Sequence, residues 1–317
     1  MDGILIAGIE TVTGANLAAV LSDSHPIRGL SSDVRFNIAT CETAYCSHQE
    51  QDEVRDCILS DRPGHIIYCS AAARSTWDGS ESTVRDLTRP AAEDAACHWA
   101  RAARELDCRF TMISSDAVFT GPWMFHNEQS ACFCDSAPAR AIRRIERAVA
   151  RYCPGALVIR TNTYGWSPAA AAGPGWIDRT LSELETQSAG PFDYLRHATP
   201  MLASDLAPII REAWEARLEG VYHVGGAERV NPNQFVTQLA REFGLEAPRP
   251  VEGNLLSDCP KGFGCSETSL HTAKIRKAVG VVTPTLSESL QRLREQKHNG
   301  FCERIAINES VACERAA

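Results

Sequence analysis

Ile4-Leu5-Ile6-Ala7-Gly8-Ile9-Glu10-Thr11-Val12-Thr13-Gly14 is the stretch that decides the fold. Its first four residues are apolar without alternation, as in a strand buried on both faces. Gly8 then permits a tight turn, and Gly14 lets the following helix pack close to the strand. A strand, turn and helix of this kind point backbone N–H groups and a helix N-terminus at a phosphate. The middle position, where a glycine normally lets a pyrophosphate approach the backbone, holds Thr11. Its side chain either narrows the cradle or donates its hydroxyl to a phosphate. The plain alternative is a strand, turn and helix with no ligand.

Working outward, short apolar runs alternate with helical patterns. Candidate strands are Gly3 to Ala7, Pro26 to Leu30, His65 to Cys69, Arg109 to Ser114, Ala156 to Arg160 and Gly220 to Val224. Between the first five lie helix-like stretches: Gly14 to Ser22, Asp52 to Ser60, Val84 to Leu106 and Ala137 to Tyr152. The third is rich in alanine, which favours helix and lets neighbours approach closely. This alternation predicts an α/β chain, a Rossmann-type doubly wound parallel sheet with helices on both faces. After about Thr161 the pattern changes, with Pro and Gly clustered in Ser167–Gly175. Helices are then expected at Trp176–Leu184, Ala203–Ala216, Asn233–Gly244, His271–Val279 and Leu286–Gln296. The expected division is a nucleotide-binding domain over 1–160, a smaller C-terminal lobe over 161–296 with some elements returning to the main domain, and a tail over 297–317. The tail has little periodicity and is either disordered or peripherally packed.

The strand ending at Leu30 should deliver the group that meets a nucleotide ribose, near Ser31. Asp33 comes a little late for this, and Arg28 and Arg35 are placed to meet a 2′-phosphate. The sequence therefore leaves NAD and NADP both open.

The 317 residues are 44% hydrophobic and 23% charged, which is ordinary globular composition and enough for a core without metal or disulfide staples. The net charge is −8, and no basic stripe is present, which disfavours a nucleic-acid partner. The densest basic group, Arg140, Arg143, Arg144 and Arg147, reads first as one solvated helix face. No apolar run has the length of a membrane span, and the N-terminus lacks the order of a signal peptide. The 13 cysteines are odd in number and scattered. They predict mostly buried free thiols in a reducing, cytoplasmic setting. Cys132, Cys134, Cys259 and Cys265 do not match paired zinc spacings, so no metal is expected.

Several motifs carry a family resemblance. Ile113-Ser114-Ser115-Asp116-Ala117-Val118-Phe119-Thr120-Gly121 resembles the Ile-Ser-Thr-Asp-Tyr-Val-Phe-Asp-Gly motif of the extended short-chain dehydrogenases, in their dTDP-4-dehydrorhamnose reductase-like (RmlD-like) branch. Ile66 to Ala72 is similar to that branch's third nucleotide-contacting strand and loop, with Ser70, Ala71 and Ala72 at its end. Val158 to Gly165, Ala198 to Ala207, Gly220 to Gly226 and Pro284 to Leu286 resemble further segments in the correct order. The resemblance covers Ile4 to about Leu293. It implies a nicotinamide cofactor held by Gly8, Thr11, Gly14, Ser31, Ser70, Ala71 and Ala72. It implies a nucleotide-sugar substrate, with Val118, Phe119, Trp123 and Trp166 as candidate contacts. It also implies a catalytic set of Ser or Thr, Tyr and Lys, in which Tyr moves a proton, Lys lowers its pKa and holds the ribose, and the hydroxyl bonds the reacting oxygen.

Ser115 matches the hydroxyl residue. The Tyr and Lys are absent. With the family's acidic residue aligned to Glu146, their positions hold Pro138 and Ile142; a register shifted by one gives Ala139 and Arg143. No Tyr lies between Gly121 and Arg151, and Tyr152 is at the far end of the same helix. Loss of a general acid costs roughly 10²–10⁴-fold in rate. Arg143 could replace the positive charge at the ribose but could not protonate a substrate. His126, Glu128, Cys132, Cys134 and Asp135 are replacement acids by chemistry, each with a simpler structural reading. Trp123, Phe125, Trp166 and Trp176 either line a cleft or pack a core, and His223 reads as a core histidine within its strand. Three functions stay open: an NAD(P)-dependent nucleotide-sugar reductase or epimerase with impaired or altered catalysis, a non-catalytic nucleotide-binding regulatory subunit, and an enzyme using another acid. By resemblance a homodimer through Val84–Leu106 and Ala137–Tyr152 is plausible, with the arginine face opposing it.

Overall fold

The computed structural model describes residues 3–32, 37–69, 71–77, 81–168, 175–190, 192, 194–248, 267–307 and 314–315. The chain begins β1 (Ile4–Ala7), α1 (Val12–Leu21), β2 (Ile27–Ser31), β3 (Glu42–Tyr45), α2 (Gln51–Asp61) and β4 (His65–Cys69). It continues with α3 (Glu81–Thr88), α4 (Pro90–Glu105), β5 (Arg109–Ser115), α5 (Ala137–Tyr152), β6 (Leu157–Thr161) and β7 (Thr163–Tyr164). Then follow α6 (Trp176–Glu185), β8 (Met201–Leu202), α7 (Ala203–Glu215), β9 (Gly220–His223) and α8 (Pro232–Glu242). The last elements are α9 (Ala273–Val279), α10 (Leu286–Gln296), α11 (Phe301–Ile305) and β10 (Glu314–Arg315).

Among the described residues the main sheet runs β10-β3-β2-β1-β4-β5-β6-β9, and every pairing is parallel. Side-chain alternation explains its two covered faces. Leu5, Ala7, Ile66 and Tyr68 pack with Val54 of α2, Trp99 of α4 and Ile142 of α5. Ile4, Ile6, Ile67 and Cys69 pack on the other side with Leu17 of α1, Leu206 and Ile210 of α7, and Ile275 of α9. A third core gathers α6, α8 and α10 with Ala15 and Ala19 of α1, around Phe235, Leu239 and Leu290. The strand order reverses between β1 and β4. Their carboxyl ends therefore diverge into the crevice where doubly wound sheets bind ligands.

The expected helix Val84–Leu106 is two helices. Pro90 has no N–H to donate and its ring clashes with the preceding turn, so it opens α4 at its first helical position. β3 lay unread because only Thr43 and Ala44 of its four residues are buried, too short an apolar signal. β7 and β8, two residues each, form a separate parallel pair that also lay unread. The tail packs in part: Phe301 and Ile305 of α11 join Ala15 and Ala19 in the third core, and β10 pairs with β3. Among the described residues no helix is long and apolar enough to cross a membrane. The described cysteines are free thiols, buried or half-buried.

Candidate functional site

The glycine turn has the geometry its sequence dictates. Gly8 sits at φ +84°, and a Cβ there would lie 1.9 Å from the Cys69 carbonyl oxygen. A Cβ on Gly14 would lie 2.3 Å from the Gly8 oxygen, so helix α1 can approach β1 only because that position is bare. Thr11 caps α1: its hydroxyl accepts the Gly14 N–H at 2.9 Å and donates to the Gly8 carbonyl at 2.8 Å. That proton is spent inside the turn. The hydroxyl here serves the turn and the start of α1. The first-turn N–H groups of α1 have no intrahelical acceptor and carry the positive end of the helix dipole. The turn therefore offers backbone donors that would suit a pyrophosphate.

Beside the turn stands a residue that sequence reasoning passed over. Glu10 reaches from the glycine loop to the end of β2, where its Oε1 accepts from the Ser32 hydroxyl at 2.7 Å and the Ser32 N–H at 3.3 Å. Its Oε2 is buried and has no hydrogen-bond partner. Ser31, the expected ribose contact, is buried at the end of β2, and its carbonyl accepts from Cys46 N–H. Arg28 does not reach this end. It pairs with Glu42 of β3 and lies 3.8 Å from Asp61 of α2, toward the start of its strand. Ser70, Asp33 and Arg35 lie outside the described residues. Ala72 is buried within a short helical turn after β4, which also contains Ala71.

The second centre lies at the end of β5. Ser115 is fully buried; its Oγ accepts from Ala117 N–H at 3.1 Å and donates to Asp116 Oδ1 at 3.4 Å. Asp116 is fully buried too, and Thr268 donates to its Oδ2 at 2.6 Å. Burial pushes the Asp116 carboxyl up to about 7, against the opposing pull of hydrogen bonds from Thr268, Ser115, Asn162 and Thr76. Asn162 in turn accepts from Ser75 at 2.7 Å and donates to Thr76 at 2.8 Å. Four segments, after β4, β5 and β6 and before α9, thus converge on one carboxyl. Sequence reasoning named Asp116 only as part of a motif and missed Ser75, Thr76, Asn162 and Thr268, because their meeting depends on contacts across much of the chain.

Helix α5 is fixed in register by Glu146. Its carboxylate accepts from Arg160 at 2.9 and 2.7 Å and from Ser114 Oγ at 2.6 Å, all buried. The positions one and two turns earlier are apolar and enclosed: Ile142, Pro138 and Ala139 are buried. Arg143 turns away to the Cys134 carbonyl at 3.2 Å and lies 4.8 Å over the Phe133 ring.

The other candidates are spread apart. Val118 and Phe119 are fully buried, and Phe119 stacks on His126 at 4.5 Å beneath the Arg160 guanidinium. Trp166 is enclosed in the third core with its indole N–H on the Leu293 carbonyl. Trp176 packs beside Trp77 and Phe235 in the same core. Trp123 and Phe125 are exposed. Glu128 accepts the His223 N–H, and the His223 ring bonds the His126 carbonyl. Burial, with Arg160 adding to it, pushes His223 down to about 3, so it stays neutral. His126 is buried, also pushed down by burial. The Cys134 thiol donates to Ser136 Oγ, and Asp135 is exposed. Among the described residues no group of three or more His, Cys, Asp or Glu could hold a metal.

Comparison with known proteins agrees with this architecture. The probable low-salt glycan biosynthesis reductase Agl14 of Haloferax volcanii is 25% identical over 72% of this chain and 76% of its own. Methionine adenosyltransferase 2 subunit beta of Danio rerio is 23% identical over 69% of this chain and 67% of its own. The crystal structure of dTDP-4-dehydrorhamnose reductase from Bacillus anthracis in complex with NADP superposes with a TM-score of 0.77 at 16% identity, over 93% of this chain and 99% of that one. The model of the RmlD substrate binding domain matches residues 1–298. With the sheet order, the glycine turn and the β5 motif all in place, the chain belongs to the RmlD substrate binding domain family.

Proposed function

We propose that this protein binds NAD or NADP at the glycine turn and acts on a nucleotide sugar as a reductase or epimerase whose proton chemistry has moved from a tyrosine to Asp116. The carrying observation is the buried Ser115–Asp116 pair, with a carboxyl raised to about 7 at the end of β5. A general acid works best when its pKa lies near the working pH, and burial is the usual means of raising a carboxyl to that range. The cofactor, when bound, supplies or takes the hydride. Asp116 holds the proton for the substrate oxygen, and Ser115 orients that oxygen. Thr268 now occupies the carboxyl, and a substrate oxygen would take its place. The reductase relative from Haloferax volcanii and the NADP complex of the Bacillus anthracis enzyme support the cofactor and the sugar class. The protein is proposed to be cytoplasmic and a homodimer.

The test is oxidation of NADH or NADPH in the presence of a 4-keto nucleotide sugar, alongside cofactor binding followed by tryptophan fluorescence. Turnover reduced strongly by Ser115→Ala is the expected result. Cofactor binding with no hydride transfer to any such sugar sinks the catalytic reading. A second reading then stands, a non-catalytic nucleotide-binding regulatory subunit. It is favoured by the apolar Pro138, Ala139 and Ile142 at the α5 positions and by the relative from Danio rerio that is named as a subunit.

A further inference from the structure

The geometry points to Glu10 as the group that meets the adenosine ribose, and we infer that the protein takes NAD in preference to NADP. The inference rests on the cofactor reading above and deepens it.

In doubly wound folds the ribose of a dinucleotide lies at the end of β2, where an acidic side chain accepts from its hydroxyls. No acidic residue stands at the described end of β2 here; the carboxylate is delivered instead from the glycine loop. Ser32 anchors it there through its hydroxyl and its N–H, both on Oε1. Oε2 is left buried and unpartnered. A buried carboxylate oxygen without a donor is costly, so the position favours a ligand that brings one.

His48, just after β3, supplies the complementary group. Its Nδ1 lies 3.1 Å from the Trp99 indole nitrogen. An indole N–H only donates, so Nδ1 accepts and the ring proton sits on Nε2. Nε2 is buried and unpartnered as well. Burial holds the ring neutral, with Glu10 close enough to pull the other way. One free acceptor and one free donor on neighbouring loops suit hydroxyl groups, which both donate and accept. A 2′-phosphate donates nothing to Oε2 and brings a charge of about −1.5 to −2 against it. Arg28, the basic residue of β2, is held by Glu42 and Asp61 toward the other end of the strand.

The test is titration of the full chain with NADH and with NADPH by fluorescence quenching or calorimetry, with no turnover required. NADH is expected to bind at least about tenfold more tightly. Glu10→Gln, nearly isosteric, should bring the two affinities toward parity, chiefly by strengthening NADPH. Ser32→Ala frees the carboxylate and should narrow the gap in part, which serves if the first variant does not fold. Tighter or equal binding of NADPH, or a ratio unmoved by both variants, overturns the inference and leaves the cofactor reading standing. No binding of either cofactor at about millimolar concentration overturns both.

Discussion

Thr11 and Asp116 each do locally what the fold needs and thereby limit what the site can do. Thr11 spends its hydroxyl on capping α1 and closing the turn. Thr11→Ala should cost about 1 kcal/mol of stability, while Thr11→Gly should cost only a few tenths, both read by chemical denaturation. Asp116 is the converse case, a carboxyl whose folded pKa is raised from 3.8 to about 7. Between those values the folded state binds more protons than the unfolded state, so stability is fullest below pH 4 and falls as pH rises through 7. The shift corresponds to about 4 kcal/mol. Asp116→Asn should remove that part of the pH dependence in thermal unfolding measured from pH 4 to 8. An unchanged slope would show that the carboxyl ionises in place. Neither property was legible in the sequence. Thr11 read as an altered glycine because side-chain direction is invisible there, and the raised carboxyl depends on burial by segments from about 40 to 152 residues distant.

At the scale of elements, α5 is held in register by one buried carboxylate. Glu146 ties it to β5 through Ser114 and to β6 through Arg160. Glu146→Ala should cost about 3–5 kcal/mol, because it strands a buried guanidinium. Replacing both partners, as in Glu146→Leu with Arg160→Met, should cost much less, and equilibrium denaturation of the two variants checks the difference. The strands of the sheet centre were legible because β1 is continuously apolar and β4, β5 and β6 each carry a short apolar run. Glu42–Tyr45 gave no such run. The break between α3 and α4 was masked by alanines whose helix propensity runs past Thr88, although Pro90 marks it.

Across the whole molecule, two conditions meet at the switch between β1 and β4. The glycine turn offers backbone donors, with the Glu10 carboxylate beside it on Ser32. At the end of β5 the enclosed Asp116 carboxyl stands beside Ser115. Fold and ancestry were therefore readable from ordered motifs, whereas chemistry had to be read from which side chains the topology brings together. The most direct measurement is kcat/KM for NADH-dependent reduction of a 4-keto nucleotide sugar, in the wild type and in Asp116→Asn, across pH. The account predicts a rate that falls as pH rises through about 7, because the acid must be protonated, and a loss of roughly 10²–10⁴-fold in Asp116→Asn with cofactor affinity unchanged. A rate that Asp116→Asn leaves intact, or no turnover with any such sugar, would contradict it.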